Sequence, residues 1–338
     1  MSKGPATIRQ VAAAAGVSVA TVTRALENPA VVAAETLRRV RTVVLELGYT
    51  PNAQAQMLRT SKTRLVIALV PDIANSFFAE VIRGIEQVAH ANQYSVLLGD
   101  TQDNPVREQA YAKMIAARQA DGLISLVPRL PELSGGVRIP LVNACEYVPD
   151  ADVTKVYVDN VAGARMAVSH LLSLGHRAIA HICGPKPSAI CADRQRGYEL
   201  ALRQAKVRVN RELVASGDFS VESGIRATEN LLATKEPFTA IFCANDEMAI
   251  GAMQALHAHG LRTPQDVSVV GFDDIRFARY STPPLTTVAQ PKSELGRQAM
   301  TALLEILEDP TTPPRIQILP TELVVRGSTA GPGKKRTA

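Results

Sequence analysis

The first fifty positions carry two short runs of apolar residues at helical spacing. The run from Ile8 to Ala15 follows Thr7, a residue type that caps helix N-termini, and it stops at a glycine, which favours a helix end. In the second run Ser18 is the candidate cap, and Val22 and Leu26 form a buried pair one turn apart. The tight connection between the runs predicts a helix-turn-helix. Its second helix turns these side chains outward: Val19, Ala20, Thr21, Thr23 and Arg24.

A third apolar stripe predicts one more helix in the same region. The stripe steps by three and four residues and ends at Gly48, a residue type that favours helix C-termini. Together the three helices predict a small all-α head over residues 1–50. The apolar positions of the third helix are Leu37, Val40, Val44 and Leu47.

Beyond residue 61 the pattern changes to short apolar runs separated by helix-length segments. RLVIALVPD, YSVLLGD, DGLISLV, AIAHICG, TAIFCAND and VSVVGFDD are such runs, and each ends in turn-forming residues. This alternation predicts parallel sheets with helices on both faces. Ligands of such sheets bind beyond the carboxyl ends of the strands. The segments at those ends are Asp72–Phe78, Asp100–Asp103, Ala144–Tyr147, Asp159, Gly184–Arg194, Phe242–Asp246 and Asp273.

Positive charge is concentrated at the start of the chain. Residues 1–64 hold nine Lys and Arg against three Glu, so this segment has six net positive charges, whereas the whole chain has a formal net charge of +5. The distribution is typical of a phosphate-binding head on a nearly neutral body. A solvated basic tail is the alternative, and the helical periodicity argues against it.

Length and composition indicate several folding units rather than a single core. With 338 residues, 46% of them hydrophobic, two or three units are expected. No stretch of 18 apolar residues occurs and the start MSKGPATIRQ lacks the apolar run of a signal peptide, so we expect a cytoplasmic protein. Without a CxxC pair, the four cysteines are expected to be core thiols: Cys145, Cys183, Cys191 and Cys243.

The segments TIRQVAAAAGVSVATVTRALENP and ELGYTPNAQAQMLR resemble the DNA-binding head of the LacI/GalR repressor family. The resemblance implies that the second helix lies in the major groove, with Val19, Ala20 and Arg24 at the positions that read base edges. The Arg24 guanidinium would bond O6 and N7 of a guanine together. Ala33 and Leu37 depart from the polar residues usual in the family. Phosphate contacts are implied for Thr7, Ser18 and Thr21.

Residues 51–61 resemble the hinge helix and linker of that family. So short a helix is marginal alone, because helix nucleation is unfavourable, and it would order on DNA. Leu58 matches the apolar wedge that opens a base step in the minor groove, with a plain linker leucine as the alternative. The resemblance implies further hinge contacts for Tyr49, Asn52 and Ala55.

The resemblance covers residues 5–329 and implies a periplasmic-binding-protein-like α/β body of two doubly wound parallel-sheet lobes. The body is expected over residues 62–330, with the chain crossing between lobes near Asp159, Gln290 and Pro320. The N-lobe would take residues 62–159 and 291–320, and the C-lobe residues 160–290 and 321–330. Residues 331–338 would form a basic disordered tail. The family also implies a homodimer on a pseudo-palindromic double-stranded operator.

Six residues are candidates for binding a small effector between the lobes. Arg194, in DRQRGYELAL, matches an arginine that holds effector oxygens, and Asp273 and Asn245 match acceptors of effector hydroxyls. Strand-end capping is the alternative for Asp273 and Asn245. The remaining candidates are Gln290 and the two aromatic residues Phe77 and Phe242, of which Phe242 is equally compatible with core packing.

The effector class is suggested by VPDIANSFFAEVIRGIE and SGDFSVESG, which most resemble members that respond to a nucleoside such as cytidine. A sugar effector is the alternative.

An enzyme or a transport binding protein with the same body is disfavoured, because the sequence has no G-x-G-x-x-G, no P-loop and no H-E-x-x-H. We therefore expect no cofactor and no metal site. His257 and His259 are two residues apart on a helix and do not share a face.

Overall fold

The computed structural model describes residues 6–50, 62–131 and 139–333. The chain divides into two compact units, one ending at Thr63 and one beginning at Arg64. Residues 6–50 of the smaller unit contain three α-helices, and a short 3-10 turn at Pro29–Val31 precedes the third. The bounds are Ile8–Ala15 for α1, Val19–Glu27 for α2 and Ala34–Leu47 for α3.

Side-chain caps fix the first two helices where the sequence predicts them. The backbone N–H of Gln10 donates to Thr7 Oγ1 at 3.4 Å, and the backbone N–H of Thr7 donates to Gln10 Oε1 at 2.8 Å. This reciprocal pair is a capping box. The backbone N–H of Thr21 donates to Ser18 Oγ at 3.1 Å. Each cap satisfies a backbone N–H donor in the first turn of its helix, so Thr7 defines the start of α1 and Ser18 defines the start of α2.

The core of the head differs in detail from the predicted stripes. In α2 the buried residues are Val22 and Ala25, while Leu26 is only partly buried. In α3 Val40 and Val43 are buried, and Leu47 is 41% exposed. The partly buried residues Leu26, Leu37 and Val44 pack against this core from its edge.

The larger unit contains two six-stranded sheets with helices around them, which confirms the predicted α/β class. The first sheet has all its strands parallel. We call the half of the unit built on it the N-lobe. Its elements are β1 (Leu65–Val70), α4 (Ser76–Ala91), β2 (Ser95–Asp100), α5 (Pro105–Ala116), β3 (Gly122–Ser125), β4 (Leu141–Ala144), β5 (Thr154–Val158), α10 (Lys292–Glu308) and β11 (Ile316–Leu319), with strand order β11-β5-β4-β3-β1-β2.

The second sheet forms the C-lobe and has strand order β12-β10-β9-β8-β6-β7. All neighbouring strands are parallel except β12, which is antiparallel to β10. The elements are α6 (Asn160–Ser173), β6 (Ile179–Cys183), α7 (Ala189–Gln204), β7 (Val214–Ser216), α8 (Val221–Ala233), β8 (Ala240–Cys243), α9 (Asp246–Ala258), β9 (Ser268–Asp273), β10 (Thr286–Ala289) and β12 (Glu322–Val324).

The chain passes between the two sheets three times, after Val158, after Ala289 and after Leu319. Strand interiors are apolar on both faces, as in β1, where five consecutive residues are buried. All four cysteines are free and buried, as the sequence predicts. Within the described residues, no helix combines the length and the apolar character needed to cross a bilayer.

A glycine lets α7 approach α6 closely. A Cβ atom added at Gly197 would lie 2.4 Å from the backbone oxygen of Val161 and 2.7 Å from Cβ of Ala164. Since both contacts are with helix α6, neither can be relieved by turning a flexible side chain. Gly197 therefore sets the distance at which α7, the helix that carries Arg194, packs on the C-lobe.

We expect Gly197→Ala to lower the free energy of unfolding by about 1–3 kcal/mol, because the added methyl group overpacks the contact between α6 and α7. Denaturant unfolding of the purified protein measures this. Gln204→Ala, at an exposed position on the same helix, is the control and should stay within about 0.5 kcal/mol of the parent. Equal stability of the two variants would mean that the contact relaxes without cost.

Candidate functional site

The exposed face of α2 brings together the three residues predicted to read bases. Val19, Ala20 and Arg24 are all exposed, and Nε of Arg24 donates to the backbone oxygen of Ala20 at 3.3 Å. One turn of helix separates Ala20 from Arg24, so the guanidinium lies beside the helix start. The face is therefore a compact surface of two small apolar side chains and one cation.

The hydroxyl groups predicted to bind phosphate lie at the helix starts. The hydroxyls of Ser18 and Thr21 are 2.9 Å apart, and Thr7 caps α1. Tyr49 follows α3 and packs against the core of the head. Helix N-termini favour anions, because their backbone N–H groups are unpaired. The other predicted hinge contacts lie outside the described residues: Asn52, Ala55 and Leu58.

In the larger unit, a cavity of about 400 Å³ lies between the strand ends of the two lobes. The N-lobe contributes the ends of β1, β3 and β4, and the C-lobe contributes the ends of β6, β8 and β9. We call this cavity the cleft. Its lining includes Phe77, Phe78, Arg129, Glu146, Ser188, Arg194, Asn245, Glu247, Asp273 and Gln290.

Arg194 is 3% exposed and lies on the wall of the cleft. Its Nε donates to Oδ1 of Asn160 at 2.9 Å, and its Nη1 donates to the backbone oxygen of Ala244. The guanidinium carbon lies 3.9 Å from the centre of the Phe272 ring, which supports the plane from below. Nη2 is 3.7 Å from Oδ1 of Asp273, too long for a hydrogen bond. These contacts hold the Arg194 guanidinium group in one orientation. Some of its five N–H donors stay available for a ligand.

Asp273 ends β9 with its carboxylate at the cleft. Nε2 of Gln290 donates to Oδ1 of Asp273 at 2.7 Å, and Nζ of Lys292 donates to the backbone oxygen of Asp273 at 2.7 Å. The backbone φ angle of Asp273 is +111°, which residues other than glycine rarely adopt. The contacts from Gln290 and Lys292 therefore hold a strained residue in place. Burial raises the pKa of Asp273 to about 6, although Arg194, Gln290 and Lys292 oppose the rise.

Asn245 lines the cleft and also caps α9. The backbone N–H of Met248 donates to Oδ1 of Asn245 at 2.9 Å, and Nδ2 donates to the backbone oxygen of Phe219 at 2.9 Å. The alternative reading as a helix cap is therefore present in the structure. Each amide atom keeps one further bonding position, so capping and ligand contact are compatible.

Phe77 borders the cleft in the first turn of α4. Its ring makes an edge-to-face contact with Phe78, with 5.1 Å between ring centres. Phe78 also lines the cleft. Two aromatic rings therefore stand together on the N-lobe wall.

Phe242, a predicted effector contact, is not among the residues that line the cleft. The side chain is fully buried within β8 and stacks on His181, with 5.0 Å between ring centres. Because side chains alternate across a strand, a residue one position before the strand end points into a face of the sheet. The residues that reach the cleft come after the strand, and they are Asn245 and Glu247.

Glu146 was not singled out in the sequence, although it lies in the candidate segment Ala144–Tyr147. It follows β4, is 7% exposed and lines the cleft. The hydroxyl of Ser188, in the other lobe, donates to its two carboxylate oxygens at 3.1 and 3.3 Å. Burial raises the pKa of Glu146 to about 7, against a lowering by Ser188 and Arg194.

A second contact between the lobes lies beside the first. The hydroxyl of Tyr147 donates to Oδ2 of Asp193 at 2.6 Å. Burial raises the pKa of Tyr147, and the hydrogen bond and the charge of Asp193 raise it further, so the phenol is the donor. Glu146 and Tyr147 therefore join the loop after β4 to α7 across the cleft.

Comparison with known proteins finds a matching family model for each of the two units. A family model described as bacterial regulatory proteins, lacI family, matches residues 7–52, and one described as periplasmic binding protein-like domain matches residues 168–329. The HTH-type transcriptional repressor CytR of Escherichia coli strain K12 is 38% identical over 329 residues, which span 96% of each chain. The chain belongs to the lacI family of bacterial regulatory proteins.

Other members of the lacI family resemble the chain over nearly its whole length. The ribose operon repressor of Haemophilus influenzae is 34% identical over 326 residues, covering 96% of this chain and 98% of that one. Among solved structures, the lac repressor dimer bound to operator and the anti-inducer ONPF matches with a TM-score of 0.86 and 29% identity. That match covers 96% of this chain and 99% of the other.

The stacked rings of Tyr198, His181 and Phe242 predict that the free energy of unfolding falls in acid. His181 is fully buried between Tyr198 and Phe242, and its Nδ1 donates to the backbone oxygen of Phe242 at 2.9 Å. Burial lowers its pKa to about 4. In the unfolded chain a histidine binds its proton near pH 6.5. The unfolded state therefore gains protons first, so this group lowers stability by about 3 kcal/mol as the pH falls from 6.5 to 4.

We expect His181→Asn to remove this part of the acid dependence, because an amide can keep the donor to Phe242 but does not titrate. The free energy of unfolding is measured by denaturant titration at pH 4, 5 and 6.5. The readout is the slope against pH, since loss of the ring stack lowers stability at every pH. His90→Asn, at an exposed position on α4, is the matched control. Parallel slopes for the parent and His181→Asn would contradict the prediction.

Proposed function

We propose that this protein is a homodimeric transcriptional repressor that binds a pseudo-palindromic DNA operator and responds to a nucleoside, such as cytidine, in the cleft. The observation that carries the proposal is the presence of two separate built sites on one chain. One is the capped helix α2 with its exposed face, and the other is the cleft around Arg194 and Asp273.

The DNA side of the proposal rests on α2. Val19, Ala20 and Arg24 share its exposed face, and the guanidinium of such an arginine can bond O6 and N7 of a guanine. Each chain offers one such helix, so a two-fold dimer would read two half-sites. The lac repressor, which resembles this chain over 96% of its length, has been solved as a dimer bound to operator.

The effector side rests on the polar groups of the C-lobe wall. The free donors of Arg194 and the carboxylate of Asp273 form a pair that suits neighbouring hydroxyl groups, such as the diol of a ribose. Gln290 positions the carboxylate at 2.7 Å. Across the cleft, Phe77 and Phe78 offer ring edges and faces to a base. The segments that resemble nucleoside-responsive members include Phe77 and Phe78.

A sugar effector is the second candidate. Arg194 and Asp273 suit the hydroxyls of a free pentose as well as those of a nucleoside, and one relative is named a ribose operon repressor. The two aromatic rings of the N-lobe favour the nucleoside, because a base gives them a flat partner.

Regulation would follow from unequal binding of the effector to different arrangements of the lobes. The contacts from Glu146 to Ser188 and from Tyr147 to Asp193 join the lobes at the cleft, so a ligand there changes their energies. A coupling free energy of about 1–3 kcal/mol would change operator affinity roughly five- to 150-fold.

Arg24→Ala is expected to reduce affinity for the specific operator by about 1–3 kcal/mol and to leave non-specific binding nearly unchanged, because a base-reading arginine contributes to discrimination. Gel shifts with an operator selected from genomic fragments, and with scrambled DNA, measure the two affinities. Arg39→Ala, at an exposed arginine on α3, is the control and should alter both by the same factor. An equal loss for Arg24→Ala would reduce Arg24 to a phosphate contact.

Cytidine at 100 times its dissociation constant is expected to stabilise the protein by about 2.7 kcal/mol, which a thermal melt resolves. Asp273→Asn should weaken the binding about tenfold or more, because the acceptor of a charge-assisted hydrogen bond is lost. Arg194→Ala should remove the shift. If Arg194→Ala does not fold, Asp273→Asn alone tests the site, since it nearly preserves shape.

The same melt separates the candidate effectors. A shift with ribose or a hexose and none with any nucleoside would support the sugar-responsive alternative. A full shift with cytidine in both Arg194→Ala and Asp273→Asn would place the binding site elsewhere.

A further inference from the structure

Glu146 is a buried carboxyl group to which, among the residues that the structure describes, the Ser188 hydroxyl donates. A carboxylate has about four lone-pair positions, and the single hydrogen of the Ser188 hydroxyl is shared between its two oxygens at 3.1 and 3.3 Å. Arg194 acts on it through its charge. Buried polar groups are normally hydrogen-bonded, and this one faces a cavity of about 400 Å³. A bound ligand is the natural partner for its free positions.

The position of Glu146 complements the groups that would hold a ribose. Glu146 follows β4 on the N-lobe wall, whereas Asp273 follows β9 on the C-lobe wall. A nucleoside with its sugar at Arg194 and Asp273 would extend its base across the cleft. The base would then meet the N-lobe wall, where Glu146 lies with Phe77 and Phe78.

We infer that Glu146 reads the edge of the base and selects nucleosides in which an amino group adjoins an unprotonated ring nitrogen, as in cytidine and adenosine, over uridine and inosine. This inference rests on the nucleoside effector proposed above. It assigns base selection to the N-lobe and sugar binding to the C-lobe.

The selection follows from the chemistry of a carboxyl group. A protonated carboxyl presents a carbonyl acceptor beside an O–H donor. The carbonyl accepts from the amino group, and the O–H donates to the neighbouring ring nitrogen. In uridine and inosine the ring N–H can donate, but the adjacent keto oxygen is a far weaker base than a ring nitrogen. The O–H of the carboxyl group therefore makes a stronger hydrogen bond with the ring nitrogen of the amino bases than with the keto oxygen of uridine and inosine.

The surroundings of Glu146 keep this proton available near neutral pH. Burial raises the pKa of Glu146 to about 7. Its affinity for an amino base should fall as the pH rises above 7, because the ionised carboxylate must take up a proton to bind, with a limit of roughly tenfold per pH unit. Charged and titratable groups near Glu146 are Arg194 and Cys191 on α7, Asp103 after β2, and the chain neighbours Cys145 and Tyr147.

Two matched pairs of nucleosides test the inference by isothermal titration of the full-length protein. Cytidine is compared with uridine, and adenosine with inosine, at pH 6.5 and pH 8. In the parent, the amino member of the pair that fits should bind roughly five- to 150-fold more tightly, the range expected for a two-bond edge contact. Glu146→Met should bring the two members to within about threefold of each other.

A second variant distinguishes the effect of protonation of Glu146 from the effect of its size and shape. Glu146→Gln places an acceptor beside a donor without a titrating group, so it should keep cytidine binding at pH 8 and lose the pH dependence that the parent shows. Since it is nearly isosteric, it also serves if Glu146→Met fails to fold. Glu247→Gln, an acid on the opposite wall whose pKa burial raises to about 7, should shift both members of a pair by the same factor.

The outcomes are distinguishable. If the parent binds nucleosides and Glu146→Met keeps the same preference, the inference is overturned while the nucleoside effector stands. An unchanged pH dependence in Glu146→Gln would also overturn it. If no nucleoside binds the parent, the effector class proposed above fails, and base selection by Glu146 fails with it.

Discussion

The buried pair of Arg194 and Asp273 is the interaction on which the cleft depends. Bringing two charges out of water is costly unless other bonds compensate each charge. Asn160, the backbone oxygen of Ala244 and the Phe272 ring do so for the guanidinium, and Gln290 and Lys292 do so for Asp273. These partners come from the start of α6, the end of β8, strand β9, the connection after β10 and the start of α10. The pair therefore fixes the strand ends of the C-lobe, while its 3.7 Å separation leaves room for ligand oxygens.

Local chemistry explains what could be predicted from the sequence. Thr7 and Ser18 cap helices through contacts three residues away, so the head was readable from spacing. Strand ends were marked by turn-forming residues, which located Asp273 and Asn245. Phe242 and Glu146 could not be placed in this way, because the sheet face of one and the burial of the other depend on residues far away in sequence, such as His181 and Ser188.

The division of the cleft into two chemical walls explains how one ligand can join the lobes. The C-lobe wall offers a cationic fork and a carboxylate, and the N-lobe wall offers aromatic rings and Glu146. Glu146 contacts Ser188, which caps α7, and Tyr147 contacts Asp193 on α7. A ligand that bonds Glu146 would share its carboxyl group with the Ser188 hydroxyl. Its binding is therefore linked to the contacts between the lobes, and such linkage is reciprocal.

Lys292 extends this linkage from the cleft into the N-lobe. Its ammonium group donates to the backbone oxygens of Asp273 and Asp274, both at 2.7 Å, so the start of α10 is tied to the end of β9. Helix α10 packs closely on α4, because an added Cβ at Gly84 would lie 2.1 Å from the backbone oxygen of Ser293. Helix α4 carries Phe77. A continuous series of packed elements thus runs from the carboxylate on one wall to the aromatic ring on the other, and a ligand that contacts both walls would contact both ends of this series.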